Sequence, residues 1–226
     1  SDDDNGRLFD KFNGWTDGNV FYSRIDSGAL QGVIATDATA VTSQVPSGSW
    51  FVADTWQNWM VTYDGANVKG YLNGVLKDTD ALTGALKSGG TDQEPLNIAA
   101  FRGSSQDWDG ELRDFRIWTS GLTATEVAEV SSDVDMTGGT ATSSLVGWWK
   151  MEEGTGTTLT DSSTETNNAI ITGSTGWNKS AYNLNQIGAG SVSGSVTVSG
   201  GTWNLRDSTS VNFNGGGDYI SIGNSL

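Results

Sequence analysis

The run Asp107-Trp108-Asp109-Gly110 sets two carboxylates around a tryptophan and ends on a glycine, and those residue types suggest two kinds of chemistry. The first is cation binding. Calcium takes clustered oxygens from carboxylates, Asn amides and backbone carbonyls. Asp17-Gly18-Asn19 offers the same donors, as does the acidic stretch Asp2–Gly6. Asp107, Asp109, Asp17 and Asn19 are therefore the expected metal ligands and calcium the expected cofactor, although none of these runs has full EF-hand spacing. The second chemistry is carbohydrate recognition. An indole ring covers the apolar face of a sugar while nearby carboxylates accept its hydroxyls. Trp15 stands near Asp17 and Trp108 beside Asp107, so both are candidate platforms. Trp148 and Trp149 are adjacent, and in a strand they point to opposite faces. One must fill the core; the other either packs beneath a covering segment or offers its ring to a ligand. Trp149 is the third candidate platform.

What the chain lacks narrows the rest. It has no His and no Cys, which removes the commonest general base, the commonest transition-metal ligand and any Ser–His or Cys–His nucleophile. Its net charge is −15, from 12 basic and 27 acidic residues. Such a field repels nucleic acid and anionic lipid, so neither is an expected partner. No apolar run nears the ~20 residues that span a bilayer, and membrane insertion is not expected. A chain of 226 residues can bury roughly 70% of its unfolded surface, so it needs no disulfide to hold a core.

These residues must be positioned by short strands. Leu8–Phe12, Val20–Ile25, Leu30–Ala35, Trp56–Tyr63, Val68–Leu72, Leu96–Phe101, Leu145–Met151 and Asn168–Thr172 are rich in β-branched or aromatic residues, and turn formers bound most of them. Alternation puts Trp59, Val61 and Tyr63 on one face. Asp64-Gly65 and Asn73-Gly74 predict tight turns with positive φ. Thr123 followed by Glu126 predicts a capping box opening a helix over Thr123–Val130, with residues 131–144 as a polar loop. Residues 179–206 are Ser/Gly/Val-rich, and their strict alternation predicts an ordered β connector rather than a flexible linker. Val211–Phe213 and Tyr219–Ile222 predict a closing hairpin around Gly215–Gly217.

Five segments carry a family resemblance. Trp56-Gln-Asn-Trp-Met-Val-Thr-Tyr-Asp-Gly65 and Val68-Lys-Gly-Tyr-Leu-Asn-Gly74 resemble consecutive strands and turns of laminin-G-like, pentraxin-related domains. Gly110-Glu-Leu-Arg-Asp-Phe-Arg-Ile-Trp118 with Leu122–Val127 is similar to a third family segment, and Leu145–Gly156 with Asp161 to a fourth. Val211–Gly223 resembles the family's opening strands, yet stands at the far end of the chain. The resemblance implies an all-β fold: a two-sheet antiparallel jelly-roll sandwich of the concanavalin A-like type with one short helix. It implies residues 1–178 as a laminin-G-like sandwich without its usual first strands, 179–206 as the connector, and 207–226 as an opening hairpin. That hairpin either completes this sandwich in a permuted order or pairs with a next repeat or a neighbour. The loop Phe101–Ser105 departs from the acidic loop of pentraxin calcium sites, which puts that site in doubt.

Hydrolases exist on this fold. Asp109, Glu111 and Asp114 lie on or near one strand, but their spacing is not the E-x-D-x-E pattern of glycosidases built on this sandwich. The expectation is a non-catalytic adhesion or ligand-binding module, glycan-binding, within a larger extracellular protein at a cell or virion surface. The rival expectation is a purely architectural subunit of a virion, tail fibre or surface filament. The expected partners are a glycan or surface ligand and neighbouring copies or other surface proteins.

Overall fold

The computed structural model describes residues 6–12, 20–37, 39–86, 95–101, 106–132, 140–173, 176–180, 208–214 and 219–222. The chain runs first through β1 (Arg7–Phe12), β2 (Val20–Asp26), β3 (Ala29–Thr36), β4 (Thr39–Gly48), β5 (Trp59–Tyr63), β6 (Asn67–Leu72), β7 (Val75–Ala81) and β8 (Leu96–Ile98). Then come β9 (Asp109–Leu112), β10 (Phe115–Trp118), helix α1 (Ala124–Ser132), a 3-10 turn (Thr140–Thr142) and β11 (Leu145–Trp149). The last strands are β12 (Thr158–Leu159), β13 (Ala169–Thr172), β14 (Gly176–Ser180), β15 (Ser208–Asn214) and β16 (Tyr219–Ile222).

One sheet holds eight strands in the order β12-β13-β16-β8-β1-β2-β3-β4. Facing it are three shorter ladders, β14-β15-β9, β10-β11 and β5-β6-β7. Every strand pairing is antiparallel. Between the layers lie Leu96, Ile98, Ile171 and Ile220 from the large sheet and Trp149 from β11, with Phe9, Leu112 and Phe115 packed on them. Ile34 and Val68 meet beside Leu82, and Ile25, Leu30 and Leu72 fill another part of the interior. Helix α1 forms a partial third layer, laying Val127 and Val130 on Tyr71 and Trp148. The fold is thus the expected all-β antiparallel sandwich with one short helix. Among the described residues no helix is long and apolar enough to cross a membrane.

Local chemistry accounts for the joints. Asn73 and Gly74 have φ of 52° and 75° and form the two-residue turn between β6 and β7. Positive φ at both positions matches the twist of the hairpin. The capping box closes in both directions: Glu126 N–H donates to Thr123 Oγ1 at 3.3 Å, and Thr123 N–H donates to Glu126 Oε2 at 2.8 Å. Strand β5 faces two ways, Val61 and Tyr63 toward Ile34 and Met60 toward the helix side, as alternation requires.

Three expectations need correction. Leu96–Phe101 does not continue as a strand; β8 stops at Ile98, because Ala99 takes φ of 72° and turns the chain, its carbonyl accepting from Trp108 N–H at 2.7 Å. Trp56 and Gln57 belong to a loop ahead of β5, where the Gln57 amide bonds the backbone of Val52. Val211–Ile222 is not a hairpin. Strand β15 lies between β14 and β9 in one layer, and β16 lies between β13 and β8 in the other. Each strand thereby has a partner on both edges, which satisfies more backbone groups than a self-paired hairpin would. The expected connector 179–206 falls outside the described residues except for Lys179 and Ser180 in β14.

The Asp64 turn makes a pH prediction. Its Oδ1 accepts from the N–H groups of Ala66 (3.0 Å) and Asn67 (2.7 Å), and its Oδ2 meets Lys69 Nζ at 2.7 Å. Lys69 foremost, then the two backbone donors, hold the Asp64 carboxyl down at about 2. A depressed carboxylate stabilises the fold above its unfolded value near 4 and loses that contribution as pH falls through its folded value. Denaturant titrations between pH 4 and about 2 should show stability falling less steeply in Asp64→Asn than in the parent. The difference should be small because the pair is solvent-exposed; parallel slopes would sink the assignment.

Candidate functional site

The loop bearing Asp107 and Trp108 is pinned to β1. Arg7 N–H donates to the Gln106 carbonyl at 2.9 Å, and Arg7 Nε donates to Gln106 Oε1 at 3.0 Å. The Arg7 guanidinium lies 3.7 Å from the Tyr22 ring centre and 3.5 Å from Asp10 Oδ2, and burial lowers its pKa. Trp108 then folds back against Gly110, where an added Cβ would come within 2.8 Å of the indole nitrogen. Its ring meets Phe51 edge-on at 5.9 Å. Trp108 is half-buried, and its buried indole N–H has no hydrogen-bond partner among the described residues. It is therefore more a wall of the sandwich end than an open platform.

Trp149 is no platform. It is 0% exposed in the middle of the core, and its indole N–H donates to the Asn167 carbonyl at 2.8 Å. Trp148, on the opposite face, packs beneath α1, so the covering segment wins for that ring. Its indole N–H donates to Asp114 Oδ1 at 2.8 Å, and Arg116 grips the same carboxylate through Nε and Nη2, both at 2.8 Å. Asp114 and Arg116 are thus committed to holding the helix layer, with Arg116 Nη1 also reaching the Val130 carbonyl at 3.4 Å. Trp15, Asp17 and Asn19 lie outside the described residues.

Two of the four expected calcium ligands, Asp107 and Asp109, are among the described residues. Asp107 is half-buried and Asp109 exposed, and among the described residues no group of three or more acidic side chains comes together. Calcium takes 6–8 oxygens. Asp17 and Asn19, the other two expected ligands, lie outside the described residues.

The residue that sequence reasoning passed over is Trp56. It is 47% exposed, and the Arg113 guanidinium lies 4.4 Å from its ring centre. Among the described tryptophans it is the exposed one. The loop carrying it is tied shut: Gln57 Nε2 donates to the Val52 carbonyl at 2.7 Å, and Val52 N–H donates to Gln57 Oε1 at 3.3 Å. Arg113 follows β9. Leu112 packs into the core, so alternation turns Asp109 and Glu111 away from it, and Arg113, just past the strand, is exposed. A ring and a guanidinium therefore meet just past the end of β9. No local motif marks such a site, because Trp56 opens a segment otherwise filled with core residues.

No curated protein matches the chain. Among solved structures, residues 221–444 of an S-layer domain-containing protein from Clostridium thermocellum ATCC 27405 align at 21% identity and a TM-score of 0.28. That alignment covers 55% of this chain and 62% of the other, and at that score it adds nothing to the fold already described. Residues 1–128, more than half of the chain, match the laminin G-like family described as the concanavalin A-like lectin/glucanases superfamily. The strand ladders and the family match agree, and the chain belongs to the concanavalin A-like lectin/glucanases superfamily.

Proposed function

We propose that the chain is a non-catalytic glycan-binding module of a larger extracellular or surface protein. The observation that carries the reading is Trp56, a large ring held in the open by a closed loop and stacked under the Arg113 guanidinium. An aromatic surface with a few placed polar groups is how proteins take saccharides. Membership of a lectin-type superfamily supports binding. Turnover by its glucanases needs paired acids across one glycosidic bond. Here the outward position after Asp109 and Glu111 is the base Arg113, already stacked on Trp56. The charge of −15 supports a setting away from nucleic acid and anionic lipid.

Incubation with a polysaccharide panel is expected to release no reducing sugar, while at least one polysaccharide retains the protein. Sugar release that Glu111→Gln abolishes would overturn the non-catalytic reading. Failure of every polysaccharide to retain the protein would overturn the glycan reading.

A further inference from the structure

We infer that Arg113 makes the Trp56 site selective for a glycan with isolated carboxylates, a uronate set among uncharged sugars; the inference rests on the glycan-binding reading above. Arg113 is exposed, and its guanidinium lies 4.4 Å from the centre of the Trp56 ring. Arg7, Arg24 and Arg116 each have a carboxylate partner, at Asp10, Asp26 and Asp114. Among the described residues Arg113 has none within ion-pair reach. Its chain neighbour Asp114 does not supply one. That carboxylate already accepts from Arg116 Nε, from Arg116 Nη2 and from the Trp148 indole, each at 2.8 Å. A guanidinium over a ring keeps its N–H edge free, and that edge matches a carboxylate bidentately.

Ring and charge are held ready for one sugar residue. The Gln57 amide closes the loop on both polar groups of Val52, and Thr55 Oγ1 adds a bond to the Ala53 carbonyl at 3.4 Å. A preorganised loop loses little conformational entropy on binding. Trp56 is nearly half exposed, so the part of the ring that Arg113 leaves open can take the C–H face of a pyranose. A uronate carries its carboxylate on the edge of that same pyranose, where the N–H edge of the guanidinium can meet it. Charge density sets the rest. The chain carries −15, so this one guanidinium stands in a field that repels anions. At about 150 mM salt the Debye length is ≈ 8 Å. A carboxylate touching Arg113 gains its ion pair inside that distance, and acids farther along a sparsely charged chain are screened from the protein. A chain acidic at every residue brings further negative charge within reach of the same surface and is disfavoured.

The test is affinity electrophoresis and calorimetry of the whole chain at that salt concentration. The probes with isolated uronates are glucuronoxylan, gellan and hyaluronan, each paired with its carboxyl-reduced form. Polygalacturonate and heparin supply dense charge, and poly-glutamate supplies carboxylates without sugar. At least one of the first three should bind, at least tenfold more tightly than its carboxyl-reduced form and than any of the dense polyanions. Arg113→Gln should remove that tenfold preference with an unchanged melting temperature and unchanged affinity for the carboxyl-reduced form. Arg113→Lys should keep part of the preference, because the charge remains without the fork. Trp56→Ala should weaken binding of both forms. Equal affinity for a glycan and its carboxyl-reduced form would overturn the carboxylate and leave glycan binding standing, as would a preference that survives in a folded Arg113→Gln. Tighter binding of polygalacturonate or heparin would overturn the isolated-charge class, and tighter binding of poly-glutamate would make the partner an acidic peptide. No binding by any polysaccharide, reduced forms included, would remove the glycan reading itself.

Discussion

Removing residues 208–226 is expected to leave a chain that does not fold at 25 °C. Strand β16 joins β13 to β8 in the middle of the eight-stranded sheet, with Ile220 paired to Ile98 on one edge and Ile171 on the other. Without it β12 and β13 lose their link to the rest of that sheet, and Leu96, Ile98 and Ile171 face water. Ile220 alone, 0% exposed, is worth roughly 1.5–3 kcal/mol of burial. The deletion also removes the ladders of β15 with β14 and β9. Those combined losses are large beside a typical stability of about 5–15 kcal/mol. Far-UV circular dichroism and urea titration report the result. The point variant Ile220→Ala should cost about 2–5 kcal/mol while keeping the fold. Because the chain has no Cys, Asn97→Cys with Ser221→Cys gives a clean check on the pairing partner. Directly opposed strand residues have Cα atoms about 4.5–5.5 Å apart, within disulfide reach. A crosslink inside monomers is expected on a non-reducing gel; crosslinked dimers would mean that the strand is exchanged between copies.

The second large effect centres on Asp161. Only 5% exposed, it accepts from Trp148 N–H (2.8 Å), Ser163 N–H (2.8 Å), Ser163 Oγ (2.8 Å) and Asn167 N–H (2.9 Å). It sits where the chain leaves β12 of one sheet and bridges to Trp149 in β11 of the other. One carboxylate thus serves three backbone donors and staples the two layers. Ala at this position strands those donors, and each unsatisfied buried group costs about 1–3 kcal/mol. Asp161→Ala should lower stability by about 3–5 kcal/mol, read as a shifted urea midpoint with an unchanged slope. Asp161→Asn should fall between, because its oxygen still accepts while its NH2 faces donors. A change below about 1 kcal/mol in the Ala variant would refute the staple.

Where sequence was legible, the signal was local. Asn73-Gly74 and the Thr123/Glu126 box depend on neighbours a few residues apart, and both form as expected. Strands with an apolar face, such as Trp59–Tyr63, announced themselves by alternation. Strand β7 did not, because Val75 and Leu76 are exposed and Lys77, Asp78 and Asp80 dominate the rest. Strand β4 holds Pro46 and few apolar residues, which an edge position tolerates. Adjacent tryptophans on opposite faces could be read from the sequence, but which face was the core could not, since that depends on α1 arriving from elsewhere. Likewise the period of Val211–Ile222 identified strands without revealing that they part to different sheets. Trp56 escaped notice because exposure is a property of the loop closure by Gln57, not of the residue type.

The position of β16 also sets an order in time. Its partner Ile98 precedes Ile220 by about 120 residues, and at 5–20 residues per second a ribosome needs roughly 6–24 s to cover that interval. During synthesis β8 and β1 can pair while the other edge of β8 waits, flat and apolar, for a strand not yet made. Pairing at such sequence separation is slow even in a complete chain. The nascent protein therefore passes through a stage with an open edge at the centre of its largest sheet, where a second nascent copy or a chaperone can bind before its own strand arrives.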